Sequence, residues 1–406
     1  MRTRAFQGLI PHADHVEGVA TVPYDVVNTE EARALASGRP NDLLHVDRAE
    51  IDLPADTDPY SDVVYETARK QFVAMQEQGI LLREEKPCIY VYEQIMGEHR
   101  QTGITLACHI DDYGDNIIRK HEKTRPVKED DRTKLVDTLS AHTGPIFLTY
   151  KDREAINARV AEVQKEKPLY DITDERDVQH RVWRLTACDD IIAEFDQVPL
   201  GYVADGHHRS ASAWRVGSER REKNASHSGD ESYNWFLGVL FPASQLKVLG
   251  YHRVIKDLNG LSKEDFLDRL KAVSTLEANG QKAPSRPGET CVYVDGQWYT
   301  MTWPANTSES PIEKLDVSVL DRFVLNPVLG IKDVRTDSRI DFVGGIRGTG
   351  ELEKRVDSGD FAVAFSMFPV TVDQLMEIAD ADEIMPPKST WFEPKLRSGL
   401  FVYTID

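Results

Sequence analysis

The stretch "GYVADGHHRSASAW", residues 201–214, passes from an apolar run through an Asp-Gly step into a helix-like segment, and its reading decides the fold. Tyr202, Val203 and Ala204 suit a buried strand, while Ala211, Trp214 and Val216 recur at helical spacing. Asp205-Gly206 marks a tight turn between them. The first free N–H groups of the expected helix then fall between His207 and Ser210. A helix start offers unpaired donors and about half a positive charge, and Arg209 adds a fork of donors suited to phosphate. His207 and His208 suit donation to a phosphoryl oxygen or proton movement near neutral pH. Asp205 is a candidate to orient a histidine or to hold magnesium with its water. A metal site, a phosphate cradle, an acid/base pair and a capped turn all remain as readings, and the strand–turn–helix context favours the cradle. Metal ligation ranks lower, because adjacent histidines point apart and no third ligand stands at metal-site spacing.

Working outward, strand-like runs come in neighbouring pairs as well as in alternation with helices. Residues 87–96 and 100–110 form an expected hairpin around Gly97, and 290–303 another that turns at Asp295-Gly296. Residues 59–79 place Val63, Val64, Ala68, Phe72 and Met75 on a helical stripe that stops at Gly79. "GPIFLTY" (144–150) reads as a short buried strand, and 170–186 as a further strand. "TVPYDVVNTEEARAL" (21–35) gives a turn into a helix capped by Asn28 or Thr29, with Asp25 as a possible acid. The mixture predicts an α+β fold with mixed, largely antiparallel sheets and helices. The loop-like 222–232 and the turn-rich 278–290 suggest dividing the chain into an α/β region over 1–243 that includes the Asp-Gly-His-His-Arg segment, a smaller α+β insertion over 244–330, and a C-terminal strand–helix segment over 331–406 that completes the core.

The chain has 406 residues, of which 49 are basic and 68 acidic, for a formal net charge of −19. A surface this acidic repels nucleic-acid phosphates and anionic lipid, yet leaves room for a small phosphorylated ligand in a local basic cluster. The N-terminal residues lack the continuous apolar stretch of a secretory signal, and no apolar run approaches a membrane span, which predicts a cytoplasmic protein. Cys88, Cys108, Cys188 and Cys291 lie too far apart for a thiol zinc site and are expected to be reduced and buried. A homo-oligomer is compatible with the sequence, which sets no oligomeric state.

Three further clusters carry candidate chemistry. In "IIRKHEKTRPVKEDDR" (117–132), Arg119, His121, Lys123 and Arg125 alternate along what begins as a strand, as if to share one face, with Arg119, His121 and Lys123 as substrate-binding candidates. Glu122 then points to the other face, where a carboxylate near basic groups stays ionised and serves as a general base. "DFVGGIRGTGELEKRV" (341–356) sets Arg347 among glycines that permit close approach of a ligand, without a Rossmann or Walker spacing. "IMPPKSTWFEPKLRSGL" (384–400) presents Lys388, Ser389 and Thr390 on a proline-stiffened loop. Each also has a plain structural reading, as a solvated edge, a glycine turn or a surface loop.

The ordered set "VPYDVV", "IYVYE", "RKHEKT", "GPIFLTY", "ADGHHR", "LDVSVL", "DFVGGIRG" and "MPPKSTWFEPKLRSGL" resembles the domain-of-unknown-function family 1015 over essentially the whole chain. Within it, an apolar strand followed by Asp-Gly-His-His-Arg and a helix is similar to the phosphate-binding segment of the ParB and sulfiredoxin-like superfamily, nearest to its ADP-dependent free-serine kinases. That resemblance implies a ParB/sulfiredoxin-like core in which Gly206, His207, His208 and Arg209 bind phosphate and Asp205 orients a phosphate or magnesium. It implies a nucleotide, ATP or ADP, with Mg2+ as cofactor. The implied activity is that of a phosphotransferase acting on a small hydroxyl metabolite such as free serine, or on phosphoserine in the reverse direction. Catalytic candidates are then Glu122, His208 and Asp205, with Arg347, Lys388, Ser389 and Thr390 as further phosphate contacts. The alternative is a nucleotide-binding regulator without catalysis.

Overall fold

A computed structural model describes residues 1–406, in two compact units: Met1–Leu246 together with Pro394–Asp406, and Lys247–Glu393. The divisions fall after residues 246 and 393, where the sequence reading set breaks at 243/244 and 330/331. The architecture is α+β with largely antiparallel sheets.

The first unit is built on a nine-stranded sheet. Its strands in chain order are Thr3–Arg4 (β1), Ile89–Met96 (β2), His99–His109 (β3), Ile118–Arg119 (β4), Ile146–Tyr150 (β5), Tyr170–Thr173 (β6), Gln179–Leu185 (β7), Gly201–Asp205 (β8) and Trp235–Pro242 (β9). Their spatial order is β4-β8-β5-β9-β3-β2-β7-β6, with β1 added beside β3. The expected hairpin at Gly97 is β2–β3, with Tyr90 opposite Thr105. The single strand expected over 170–186 is instead a hairpin, β6–β7, because Asp174 accepts from the main chain of Arg176 and Val178 and turns the chain there.

Central strands are buried on both faces, as their unbroken apolar runs require. Ile146, Leu148 and Tyr150 of β5 join Val203 of β8 and Leu240 of β9 in the main core. By strand alternation Phe147 and Phe241 point the other way, and their rings meet with centroids 4.7 Å apart, tilted by 48°. A second cluster packs the helices Asp62–Glu77 and Pro126–Leu139 around Phe72, Met75 and Leu135. Val64, Ala68, Phe72 and Met75 face inward as expected, but Val63 is exposed and Tyr65 takes the buried place. Helix Thr29–Ala36 starts at Asn28 with a reciprocal capping box to Glu31. All four cysteines are free and buried. No helix is long and apolar enough to cross a membrane.

The second unit holds a six-stranded antiparallel sheet made of Tyr251–Ile255 (β10), Thr275–Ala278 (β11), Glu289–Val294 (β12), Gln297–Thr302 (β13), Ile340–Gly344 (β14) and Val363–Met367 (β15), in the order β11-β13-β12-β15-β10-β14. Its core joins Val254, Cys291, Trp298 and Val343 to Leu352 and Val356 of helix Gly348–Asp357. Gly344 is required by close approach, since a Cβ there would stand 2.7 Å from the Trp391 ring.

Candidate functional site

Strand pairing assembles the site. β8 runs antiparallel to β5 on one side and parallel to β4 on the other, with Gly201 opposite Ile118 and Tyr202 opposite Arg119. Because β4 and β8 are parallel, the chain leaves both at the same sheet edge. His121 and Glu122 therefore emerge beside Asp205 and His207. The β8–β5 register shifts between Val203 and Asp205, a bulge of the kind that re-aims a strand's last side chain. Gly206 follows in the left-handed region at φ 92° and starts helix His207–Lys223. The alternation expected to carry Arg119, His121, Lys123 and Arg125 on one face does not hold, because β4 ends at Arg119. Glu122 consequently lies on the same side as His121: both join His207 in a group whose ligand atoms all lie within 4.8 Å.

The three residues after Gly206 go three ways. His207 turns inward, with its Nε2 3.4 Å from His121 Nε2. His208 accepts the Arg125 main-chain N–H on Nε2 at 3.0 Å. Arg209 donates to Pro145 O at 3.3 Å and Ser398 Oγ at 3.1 Å, and stands 3.6 Å from Asp47. Gly144 leaves room for it: a Cβ there would sit 2.5 Å from the guanidinium. The adjacent histidines thus do point apart, but the second imidazole and the carboxylate come from the chain after β4.

Charge in the site is sorted by burial and pairing. Burial opposes ionisation of Asp205, yet Lys395 at 2.6 Å overrides it and holds the carboxyl at about 2. Its second oxygen accepts the Gly206 N–H at 2.9 Å. Burial, reinforced by the neighbouring imidazole, lowers His121 to about 3, and burial lowers His207 to about 4. Both rings are therefore neutral at physiological pH. Two guanidinium groups stand over the Tyr24 ring, Arg132 at 4.0 Å and Arg209 at 5.3 Å. Burial raises the Tyr24 phenol well above its ordinary value.

An open pocket lies at the helix start, walled by Tyr24, Asp25, Phe147, Asp205, His208 and Arg209. Tyr24 also walls an adjoining hollow whose charged members are Asp47, Arg48, Glu50, Lys128, Asp131 and Arg132. Of the residues expected from sequence, Asp205, Gly206, His208 and Arg209 line this pocket, as does Asp25, expected only as a possible acid. Local patterns do not indicate Tyr24, Lys395 as the partner of Asp205, or Ser398. "VPYD" was a local turn signal; nothing in sequence links it to residues 205–209. Lys123 is exposed and Arg119 half-buried. Arg347, Lys388, Ser389 and Thr390 belong to the second unit. There Arg347 ends the turn Gly345–Arg347 and is exposed, and Lys388 lies 5.5 Å from the Tyr251 ring in a left-handed conformation. Ser389 is buried and donates its hydroxyl to Pro386 O at 2.6 Å.

Among solved structures, the chain is similar to a free serine kinase in complex with AMP, at 15% identity over 71% of this chain and 86% of that one, with a TM-score of 0.36. It is also similar to SbnI with C-terminal truncation from Staphylococcus aureus, at 11% identity over 72% and 85%, with a TM-score of 0.39. A conserved hypothetical protein from Pyrococcus furiosus matches at 15% identity over 72% and 93%, with a TM-score of 0.34. No curated protein matches the sequence. The family described as "Protein of unknown function (DUF1015)" matches residues 3–318, and the chain belongs to that family.

Proposed function

We propose that the protein binds a nucleotide through its phosphates at the pocket beside Gly206 and transfers a phosphoryl group to or from a small hydroxyl metabolite, free serine or phosphoserine. One observation carries this reading: a helix start freed by a left-handed glycine opens into a pocket flanked by the Arg209 guanidinium. Unpaired N–H groups, the helix dipole and a donor fork are together what a phosphate needs. The neighbouring hollow supports a zwitterionic acceptor, since its wall carries both signs of charge.

Arg209 and the N–H groups of His207 to Arg209 hold the phosphates, the Ser210 N–H being taken by the Gly206 carbonyl, and His208 donates toward the phosphoryl oxygens. Charge stabilisation of this kind is the main task in phosphoryl transfer. Mg2+ carried by the nucleotide would supply further charge neutralisation without Asp205, whose two oxygens are taken by Lys395 and the Gly206 N–H. The acceptor oxygen forms the new P–O bond while the bond to the leaving nucleotide oxygen breaks. The hydroxyl proton passes to a carboxylate. We assign that role to Asp25, which lines the pocket, in preference to Glu122, which stands with His121 and His207.

The test is phosphorus NMR of the full chain with magnesium, each of ATP, ADP, CTP and pyrophosphate, and serine or phosphoserine. Expected is transfer that Arg209→Ala and Asp25→Asn abolish. If no phosphate moves in any combination and no nucleotide raises the unfolding temperature, the reading fails. Protection without turnover supports a nucleotide-binding regulator instead.

A further inference from the structure

We propose that His121, Glu122 and His207 form a binding site for a divalent first-row transition metal of zinc-like preference, distinct from any magnesium that arrives with a nucleotide. The proposal does not depend on phosphoryl transfer.

The geometry is that of a metal site. The three residues offer one ligand atom each, all within 4.8 Å of one another. His121 Nε2 and His207 Nε2 stand 3.4 Å apart. Two imidazole nitrogens bound at about 2.05 Å with a tetrahedral angle between them stand about 3.3 Å apart. The same separation is long for a direct N–H···N hydrogen bond. A second observation points the same way. His207 is 6% exposed, and the one hydrogen-bond contact of its ring is that of Nε2 with His121 Nε2. A buried polar ring satisfied only by another imidazole asks for an ion or a water between them.

The donor set selects the metal. Two imidazoles and one carboxylate suit zinc, cobalt, manganese or iron(II), whereas magnesium prefers an all-oxygen octahedron. Three protein ligands leave a fourth position for water or a ligand oxygen, the hallmark of a reactive rather than a structural site. The site shares a helix start with the anion pocket, since His207 is the first residue of the helix whose His208 and Arg209 line that pocket.

The experiment uses the full chain, stripped with a chelator and titrated with ZnCl2 and CoCl2 in the absence of nucleotide. Calorimetry reads affinity, and the visible spectrum of bound cobalt reads its ligands. One equivalent of either metal is expected, undisturbed by a large excess of magnesium. His207→Ala should weaken binding roughly a hundredfold or more, beyond what loss of a supporting residue costs. Glu122→Gln alters a half-exposed side chain, so it should fold normally by circular dichroism while weakening binding roughly tenfold or more. No stoichiometric binding, binding unchanged in Glu122→Gln and His207→Ala, or displacement by magnesium at comparable concentration would each overturn the site.

Discussion

Single side chains in this protein carry their chemistry through what is packed against them. Arg209 was conspicuous in the sequence because it follows two histidines, and the structure gives it work on several fronts: Tyr24, Asp47, Pro145 and Ser398 all meet its guanidinium. A lysine keeps the charge but not the planar fork. Arg209→Lys should therefore weaken nucleotide binding by roughly tenfold in a thermal-shift titration, with a smaller loss of stability. Asp316, in the second unit, shows the opposite situation. Burial raises its carboxyl to about 6, although both its oxygens accept the Gly288 N–H, at 3.0 and 3.1 Å. A folded value above the unfolded one means the folded state binds the proton more tightly. The stabilisation is complete below about pH 4, the ordinary carboxyl range, and is lost as pH rises through about 6. Asp316→Asn, which cannot ionise, should match the natural protein in urea unfolding below pH 4 and exceed it by about 2–3 kcal/mol at pH 7.5. Equal stability at both pH values would refute the burial argument. Nothing in the sequence around 316 hinted at this, because burial of an acid is a tertiary property.

At the scale of elements, the strand–turn–helix over 201–223 was legible because local rules agree there: apolar run, Asp-Gly turn, helical periodicity. The strand expected to follow residue 117 was not. It pairs with β8 for two residues only, and the chain then bends so that His121 is buried and Lys123 exposed. Alternation assigns faces only while the strand lasts. The bend is what converts a row of charges into a cluster. Gly206 fixes the other half of that cluster, and here a Cβ meets no close atom; the left-handed backbone is the constraint. Gly206→Ala should thus cost about 1–2 kcal/mol of stability. It should also weaken phosphate binding further, because the free N–H groups of His207 to Arg209 shift with the turn. Thr371→Ala provides the contrast. It removes the capping box with Gln374 in the second unit and should cost about 1 kcal/mol while leaving ligand affinity unchanged. Equal losses of affinity in both variants would mean that general destabilisation, and not the turn, sets binding.

For the whole molecule, the decisive fact is that the first unit closes with the chain's last residues. The Asp205–Lys395 pair spans 190 positions and the Arg209–Ser398 contact 189, separations that no local pattern encodes. In sequence, Lys395 and Arg397 are two basic residues after a proline loop, with no local pattern to place them. In the fold, Arg397 is buried against Asp174 and Glu175, Leu400, Phe401 and Val402 are fully buried, and Tyr403–Thr404 pairs with Ala141–His142. Such a segment is structural as well as functional, so its removal and its point mutation should behave differently. A chain that ends at Glu393 loses three large apolar side chains at roughly 1.5–3 kcal/mol each, together with a buried ion pair. That loss is comparable to the whole stability of a typical domain, and the truncated protein should be insoluble or unfolded by circular dichroism. Lys395→Met is milder. It leaves the apolar packing intact and unpairs Asp205, whose side chain is 36% exposed, so water limits the cost to about 1 kcal/mol. Its effect should fall on the ligand: Asp205 is then an uncompensated negative charge beside the phosphate pocket, and nucleotide affinity should drop at least tenfold. A double variant, Asp205→Asn with Lys395→Met, removes both charges and should recover part of that affinity. If the single and double variants bind equally weakly, Lys395 touches the phosphate itself and does not act through Asp205.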